Sequence, residues 1–265
     1  MVPVSVVIIT KNVADIIKGC IEKARELTDD IIIIYNGSEE ETVDIVAKDG
    51  CKFYNKTWDG YGANKNKGVE AAKYSWILSI DADEIPDDEL IIAIHNLNFN
   101  YTRVVYDIGF RSYFGGKLVR FGSWGRDHHV RLFNRKFVKW SETMVHEKLM
   151  LPAFIQKKKI DGHIHHYSVK SVQEFDTKGS YYARLSAKKY FRIGKKTNVV
   201  KLYISPIFGF LKNYIICLGF LDGRAGWDIA RITVKHTRRK YHFLSQMKIT
   251  GEKTQSAKDS LVVEY

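Results

Sequence analysis

Trp76-Ile77-Leu78-Ser79-Ile80-Asp81-Ala82-Asp83-Glu84 is an apolar run that breaks off into three acids. A short, almost uninterrupted apolar segment of this kind reads as a strand buried on both faces. The acids then fall at its carboxyl end. Asp81 and Asp83 stand two residues apart, so in extended geometry their side chains share a face. Hard oxygen ligands suit Mg²⁺ or Mn²⁺, and a divalent ion held there can bridge a diphosphate. An Asp-x-Asp on a surface loop is ordinarily just solvated; the strand before this one gives it weight.

Working outward, the first 110 residues alternate strand and helix patterns. Val4–Thr10 is a β-branched run, and Ile16, Ile17, Cys20, Ile21, Ala24 and Leu27 recur at helical spacing over roughly 14–27. Ile31–Tyr35 reads as a second strand, followed by the turn Asn36-Gly37-Ser38. Val43, Ile45, Val46 and Ala47 suit a second helix that stops near Asp49-Gly50. Cys51–Tyr54 is a third strand, 64–72 a helix and Trp76–Ile80 the fourth strand. Pro86 is expected to open the next helix, with Asp87, Asp88 and Glu89 in its first turn, where the helix dipole favours anions. This order predicts an α/β fold built on an open, mostly parallel sheet with helices on both faces. Ligands of such sheets lie beyond the carboxyl ends of the strands. Thr10-Lys11-Asn12, Tyr35-Asn36-Gly37 and Asp81-Ala82-Asp83 all fall there.

From about residue 103 the pattern turns strand-like and aromatic, through Arg103–Phe114, Lys117–Phe121 and Val130-Arg131-Leu132-Phe133. The last third reads as helical. Ser171 and Glu174 form a capping box, Val172, Phe175, Tyr182, Leu185 and Tyr190 are the expected buried stripe, and Gly194 is the expected stop.

The 265 residues carry 42 Lys+Arg against 30 Asp+Glu, a net charge of +12, with 45% hydrophobic residues. That profile excludes a disordered or collagen-like chain. Residues 1–147 are net −3 and residues 148–265 net +15, so the excess basicity belongs to the C-terminal part and suggests an anionic partner there. The three cysteines are widely spaced, which argues against a disulfide framework or a thiolate metal site. The apolar start has no basic n-region or cleavage site and reads as a strand rather than a signal peptide. No segment reaches the roughly 18 uninterrupted apolar residues of a spanning helix.

Three segments together resemble family 2 glycosyltransferases of the GT-A fold: Val4–Asn12, Gly62-Ala63-Asn64-Lys65-Asn66-Lys67-Gly68 and Trp76–Glu84. The branch they are most similar to contains bacterial enzymes that add sugars to the lipopolysaccharide inner core. Trp124-Gly125-Arg126-Asp127-His128-His129-Val130-Arg131-Leu132-Phe133, Val145-His146-Glu147, His165-His166-Tyr167 and Gly219–Gly226 continue the likeness along nearly the whole chain. The resemblance implies an inverting, metal-dependent transfer from a nucleotide-diphospho-sugar, a UDP-sugar being favoured, to a glycan or glycolipid acceptor such as a lipopolysaccharide core. It implies a nucleotide-sugar-binding half over 1–110, an acceptor-side half of the same catalytic domain over 111–165 and a basic helical region over 166–265. Thr10 and Asn12 would lie beside the nucleotide, Lys65 and Asn66 would border the donor pocket, Asp81 would approach the ribose and Asp83 would hold the metal. Where the family usually ends its second strand in an Asp that helps read the base, this chain has Asn36, which offers a donor and an acceptor; Asn36-Gly37 could equally be a plain turn.

The base that takes the acceptor's proton belongs on the acceptor side, which leaves Asp127 and Glu147 as candidates; either could instead pair with an arginine and shape the loop. His146 is a candidate further ligand to the ion or to a phosphate. The remaining histidines do not match a zinc spacing such as HExxH, and His165-His166 are expected to pack at a domain junction. Two other classes compete. A nucleotidyltransferase would share the sheet and the ion but carries a glycine-rich loop where this chain has Thr10-Lys11-Asn12-Val13. A nucleic-acid-binding protein would explain the basic C-terminal part, yet no RNA-recognition signature or zinc finger is present, so nucleic acid is not an expected partner. The apolar stretch 199–221, flanked by Lys195-Lys196 and Arg238-Arg239-Lys240, suits an anionic membrane interface or packing against the catalytic domain or a twin subunit. A cytoplasmic enzyme, peripheral on the inner face of the cytoplasmic membrane and possible as an oligomer, is the expectation.

Overall fold

The computed structural model describes residues 1–10, 14–37, 50–55, 57, 59–142 and 147–262, with side chains omitted at 14, 15 and 248–262. The second helix expected around 43–49, Asn12 and His146 therefore lie outside the described residues.

Two compact units are present. The first comprises 1–113 and 124–168, the second 114–123 and 169–265. In the first, β1 (Val4–Thr10), β2 (Ile31–Tyr35), β3 (Lys52–Asn55) and β4 (Trp76–Asp81) are parallel and ordered β3-β2-β1-β4. The sheet continues through β8 (His128–Asn134), β6 (Val104–Phe114), β11 (Gln156–Val169) and β5 (Glu84–Pro86), with β4–β8, β6–β8 and β5–β11 antiparallel. Alternation along β1 feeds two cores. Val4, Val6 and Ile8 pack with α1 (Ala14–Leu27) and α3 (Asp88–His95), while Val7 and Ile9 meet Val69 of α2 (Tyr61–Ala71). A Cβ on Gly68 would come 2.3 Å from Val7 Cγ1, so glycine lets α2 lie directly on the sheet. At the amino end, buried Asp30 accepts from Ser5 Oγ (2.5 Å), the Lys73 N–H (2.6 Å) and Lys52 Nζ (2.6 Å), satisfying a carboxylate that burial would otherwise penalise.

Pro86 departs from expectation. It ends β5, facing Ile164 of β11, and the helix starts at Asp88 with Asp87 as its N-cap, accepting from the Leu90 N–H at 2.9 Å. Proline is tolerated because β5 is the terminal strand of the sheet, where a missing N–H costs little.

In the second unit α4 (Val172–Arg192) packs on α6 (Arg224–Val262). Ser171 caps α4 through the Glu174 N–H as expected. The buried stripe is different. Gly179, Ala183 and Ala187 are the buried residues of α4, and Tyr182 is exposed. A Cβ on Gly179 would fall 1.7 Å from the His236 ring, so small residues at helical spacing, not large ones, let the two helices close. Asp222 accepts from the backbone N–H groups of Arg120 and Phe121 at 3.0 and 2.9 Å, fastening the 114–123 arm. Between α4 and α6 a helical run carries π-type turns at Val200–Ile204 and Leu211–Ile216 around α5 (Ser205–Phe210).

Candidate active site

Register brings the expected residues together. Thr10 pairs with Tyr35, and Ile9 with Asp81, across three adjacent strand ends. The Asn36 N–H donates to Thr10 O and the Ala82 N–H to Ile9 O, both at 3.1 Å. Thr10, Asn36 and Asp81 thus line one edge at the point where the strand order reverses, the usual crevice of such a sheet. The Thr10 hydroxyl is buried and makes no hydrogen bond among the described residues.

Lys65 enters from α2. It is 1% exposed, with Nζ 3.1 Å from Asp81 Oδ1, 2.9 Å from Glu147 Oε1 and 4.6 Å above the Trp140 ring. The neighbouring Asn66 is occupied elsewhere: its amide exchanges two 3.0 Å hydrogen bonds with the backbone of Trp140, pinning β9 (Lys139–Trp140) to α2. Gly62 allows this approach, since a Cβ there would sit 1.9 Å from Ser141 O.

Arg131 and Glu84 are site residues that sequence reasoning quoted without assigning. Arg131 forms a close ion pair with Glu84, and its guanidinium reaches within 3.7 Å of Asp81 Oδ2. Glu84 Oε2 also accepts the Asp81 N–H at 3.0 Å. Burial pushes the Asp81 carboxyl up, but Lys65 and Arg131 outweigh it and hold it below the ordinary range. For Glu84, burial wins over Arg131, and Asp81 adds to it, so its carboxyl lies above the ordinary range. The sequence signal for Arg131 is its apolar setting, Val130-Arg131-Leu132-Phe133, whereas Glu84, among Asp81, Asp83 and Asp87, carries none.

Asp83 faces His166, with Oδ2 to Nε2 3.6 Å. Burial pulls the His166 imidazole down, yet Asp83, Glu84 and Asp81 together raise it above its usual value. His166 is thus a neighbour of the acidic turn, while His165 turns the other way and meets the Tyr113 hydroxyl at 2.8 Å. The rings of His166 and His129 both stand edge-on to Phe110, at 6.0 and 4.9 Å. His129 in turn contacts Asp127 at 3.0 Å. Burial raises the Asp127 carboxyl, but His129 and a backbone N–H more than offset this and lower it. Asp83, His166, Phe110, His129 and Asp127 therefore form one continuous wall. The carboxylates of the acidic turn are hard oxygen donors of the kind that fits Mn²⁺ or Mg²⁺. Asp87, Glu89 and His163 also converge, with ligand atoms within 4.8 Å of one another. There, however, Asp87 caps α3 and accepts the His163 N–H at 2.9 Å, a structural use.

The sequence pattern of Glycosyl transferase family 2 matches residues 5–171, most of the chain and all of these residues. The chain belongs to that family. An uncharacterised glycosyltransferase of Rickettsia typhi is 30% identical over 240 residues, 86% of this chain and 81% of the relative. A lipopolysaccharide core biosynthesis glycosyltransferase of Rhizobium meliloti is 25% identical, covering 93% and 92%. Among solved structures, glucosyl-3-phosphoglycerate synthase of Mycobacterium tuberculosis aligns with a TM-score of 0.48 at 14% identity, over 74% of this chain and 81% of that one. Glycosyl transferase family 2 enzymes draw on nucleotide-sugar donors, commonly with a divalent cation. The α/β fold expected of the family is present, with β3-β2-β1-β4 parallel.

Proposed function

We propose that this glycosyltransferase moves a sugar, with inversion, from a nucleotide-diphospho-sugar to a cell-envelope glycan acceptor of the lipopolysaccharide-core kind. The observation that carries the reading is the set Asp81–Lys65–Glu147, a buried ammonium between two half-buried carboxylates at the carboxyl ends of β1 and β4, beside the Asp83-to-Asp127 wall. Lys65 supplies a cation for a diphosphate. Thr10 and Asn36 would receive the nucleoside, with a UDP-sugar the favoured donor. Asp83 would hold Mg²⁺ or Mn²⁺, with His146 as the candidate further ligand, and such an ion supplies charge neutralisation for the departing diphosphate.

Inversion by direct displacement needs a carboxylate to take the acceptor's proton. Asp127 is 43% exposed on the open wall beside His129, which suits the incoming hydroxyl; Glu147, 15% exposed and engaged by Lys65, suits the donor side. We assign the base to Asp127. Loss of kcat in Asp127→Asn with donor KM kept supports this, whereas the same loss confined to Glu147→Gln moves the base to Glu147.

The second unit supports docking on an anionic membrane. No helix among the described residues is long and apolar enough to cross a membrane. Yet Ile204, Ile207, Phe208, Ile215 and Ile216 are each more than half exposed, in a chain where Lys195, Arg238 and Lys240 stack on Tyr190, Tyr203 and Tyr241. Apolar side chains with flanking cations partition into an interface, each cation near anionic lipid adding about 1 kcal/mol. The test is co-sedimentation with phosphatidylglycerol vesicles; no pelleting at low salt overturns the docking.

A further inference from the structure

We propose that Arg131 and Glu84 are positioning residues for the acidic turn: a buried ion pair that sets how Asp83 presents its carboxylate to a divalent cation. The inference rests on Asp83 being the cation ligand.

Glu84 is 1% exposed and Arg131 8% exposed, so both charges are taken out of water. A buried pair of this sort gives little stability over apolar residues of the same size, and it demands a tight geometry. What it yields here is that geometry. One oxygen of Glu84 meets Arg131 and the other accepts the Asp81 N–H at 3.0 Å, three residues back along the chain. The carboxylate therefore spans the Asp81-Ala82-Asp83 turn from inside. Main-chain bonds close the same turn from outside: the Ala82 N–H donates to Ile9 O at 3.1 Å and the Tyr167 N–H to Asp83 O at 2.9 Å. Arg131 adds a third tie through Asp81 Oδ2 at 3.7 Å and a fourth by lying 5.4 Å over the Phe110 ring, on which His166 and His129 stand. One guanidinium thus holds the first acid of the turn, the acid that braces it and the ring beneath the histidine facing Asp83. On this reading Arg131 and Glu84 act through Asp81 and Asp83. Groups that orient a ligating side chain typically change metal affinity 10–100-fold when removed.

The test measures binding of Mn²⁺ alone, by the electron paramagnetic resonance signal of the free ion, to the wild type, Arg131→Lys, Glu84→Gln and Asp83→Asn. Each protein is first shown to be folded by its thermal transition. Arg131→Lys keeps the charge but cannot span Glu84, Asp81 and Phe110 together; Glu84→Gln keeps the acceptor for the Asp81 N–H but loses the charge. We expect both to weaken Mn²⁺ binding about tenfold or more at unchanged stoichiometry. A purely structural pair would lower the melting temperature and leave the Mn²⁺ affinity alone, and that result overturns the proposal. If Arg131→Lys fails to fold, Glu84→Gln decides by the same criterion. Equal Mn²⁺ binding by the wild type and Asp83→Asn removes the cation role of Asp83 and this proposal with it. Loss in Asp83→Asn with normal binding in the folded pair variants removes this proposal alone.

Discussion

Lys65→Met tests the electrostatics of the site without disturbing its shape. Methionine replaces the aliphatic stem beside Trp140 and deletes the ammonium, so the two carboxylates that share it, Asp81 and Glu147, are left facing one another. At an effective dielectric constant of about 20, each contact near 3 Å is worth about 5 kcal/mol of gross attraction. Desolvation cancels much of this, and removing one partner of a buried pair costs about 3–5 kcal/mol net. At about 2–4 °C per kcal/mol for a chain of this size class, the melting temperature at pH 7 should fall by about 10 °C. The loss should also depend on pH in a defined direction. With Lys65 gone, burial dominates the Asp81 carboxyl and raises it, leaving Arg131 as its main opposing charge. A group whose folded value is raised favours the native state at low pH and loses that contribution as pH rises through it. The gap between wild type and Lys65→Met should therefore be widest at pH 7 and narrow toward pH 5. Differential scanning calorimetry at both pH values measures this. A melting temperature within about 2 °C of wild type at pH 7, or a gap that does not change with pH, would show that water already screens these charges, and the argument from burial would fail.

Other consequences are open to direct measurement. Asp83→Ala should abolish transfer in a folded protein, and activity that persists in EDTA would refute the cation's role. Gly179→Ala should destabilise by about 2–3 kcal/mol through overpacking against His236, and His236→Ala should recover part of the loss; urea denaturation of the single and double variants measures the coupling. Asp176 resists burial's upward push through Lys235 and Arg239, which bring its carboxyl down to about 2. Its contribution is thus present above the ordinary carboxylate range and lost as pH falls toward 2, so the melting-temperature gap between wild type and Asp176→Asn should be open at pH 7 and close below pH 4. Ile207→Asp should reduce pelleting with anionic vesicles while leaving the melting temperature unchanged, because Ile207 is 58% exposed.

The parallel half of the sheet was legible because strands buried on both faces leave an unbroken β-branched signature. Ile31–Tyr35 emerged at its expected bounds for that reason, and 14–27 through the helical spacing of its apolar residues. Pro86 misled because its role depends on which strand is outermost, a property of the folded sheet. The α4 stripe misled in an instructive way: a pattern of large apolar residues signals burial, but helices that cross closely bury glycine and alanine, and Tyr182 then points outward. At the site, Thr10, Asn36, Lys65 and Asp81 meet at the strand ends. Arg131 and Glu84 were harder to see. Their pairing joins β8 to β5 across 47 positions in sequence, and such separation carries no local periodicity. Asn66 shows the opposite limit, since a motif residue beside the donor pocket is spent on the backbone of Trp140.

The placement of Pro86 also bears on how copies of the chain can meet. A sheet's outer strands expose unpaired backbone groups and so invite another strand to add. Here one border is β5, three residues long and closed by a proline that has no N–H to offer. The opposite border is β3, four residues long, whose Lys52 reaches over to Asp30. Among the described residues β3 and β5 are both short, and β5 is chemically blunted, so addition of a strand is disfavoured at each, while β11 runs past β5 over 156–163. Copies of this glycosyltransferase that meet at β3 or β5 would therefore do so through side chains rather than through an added strand.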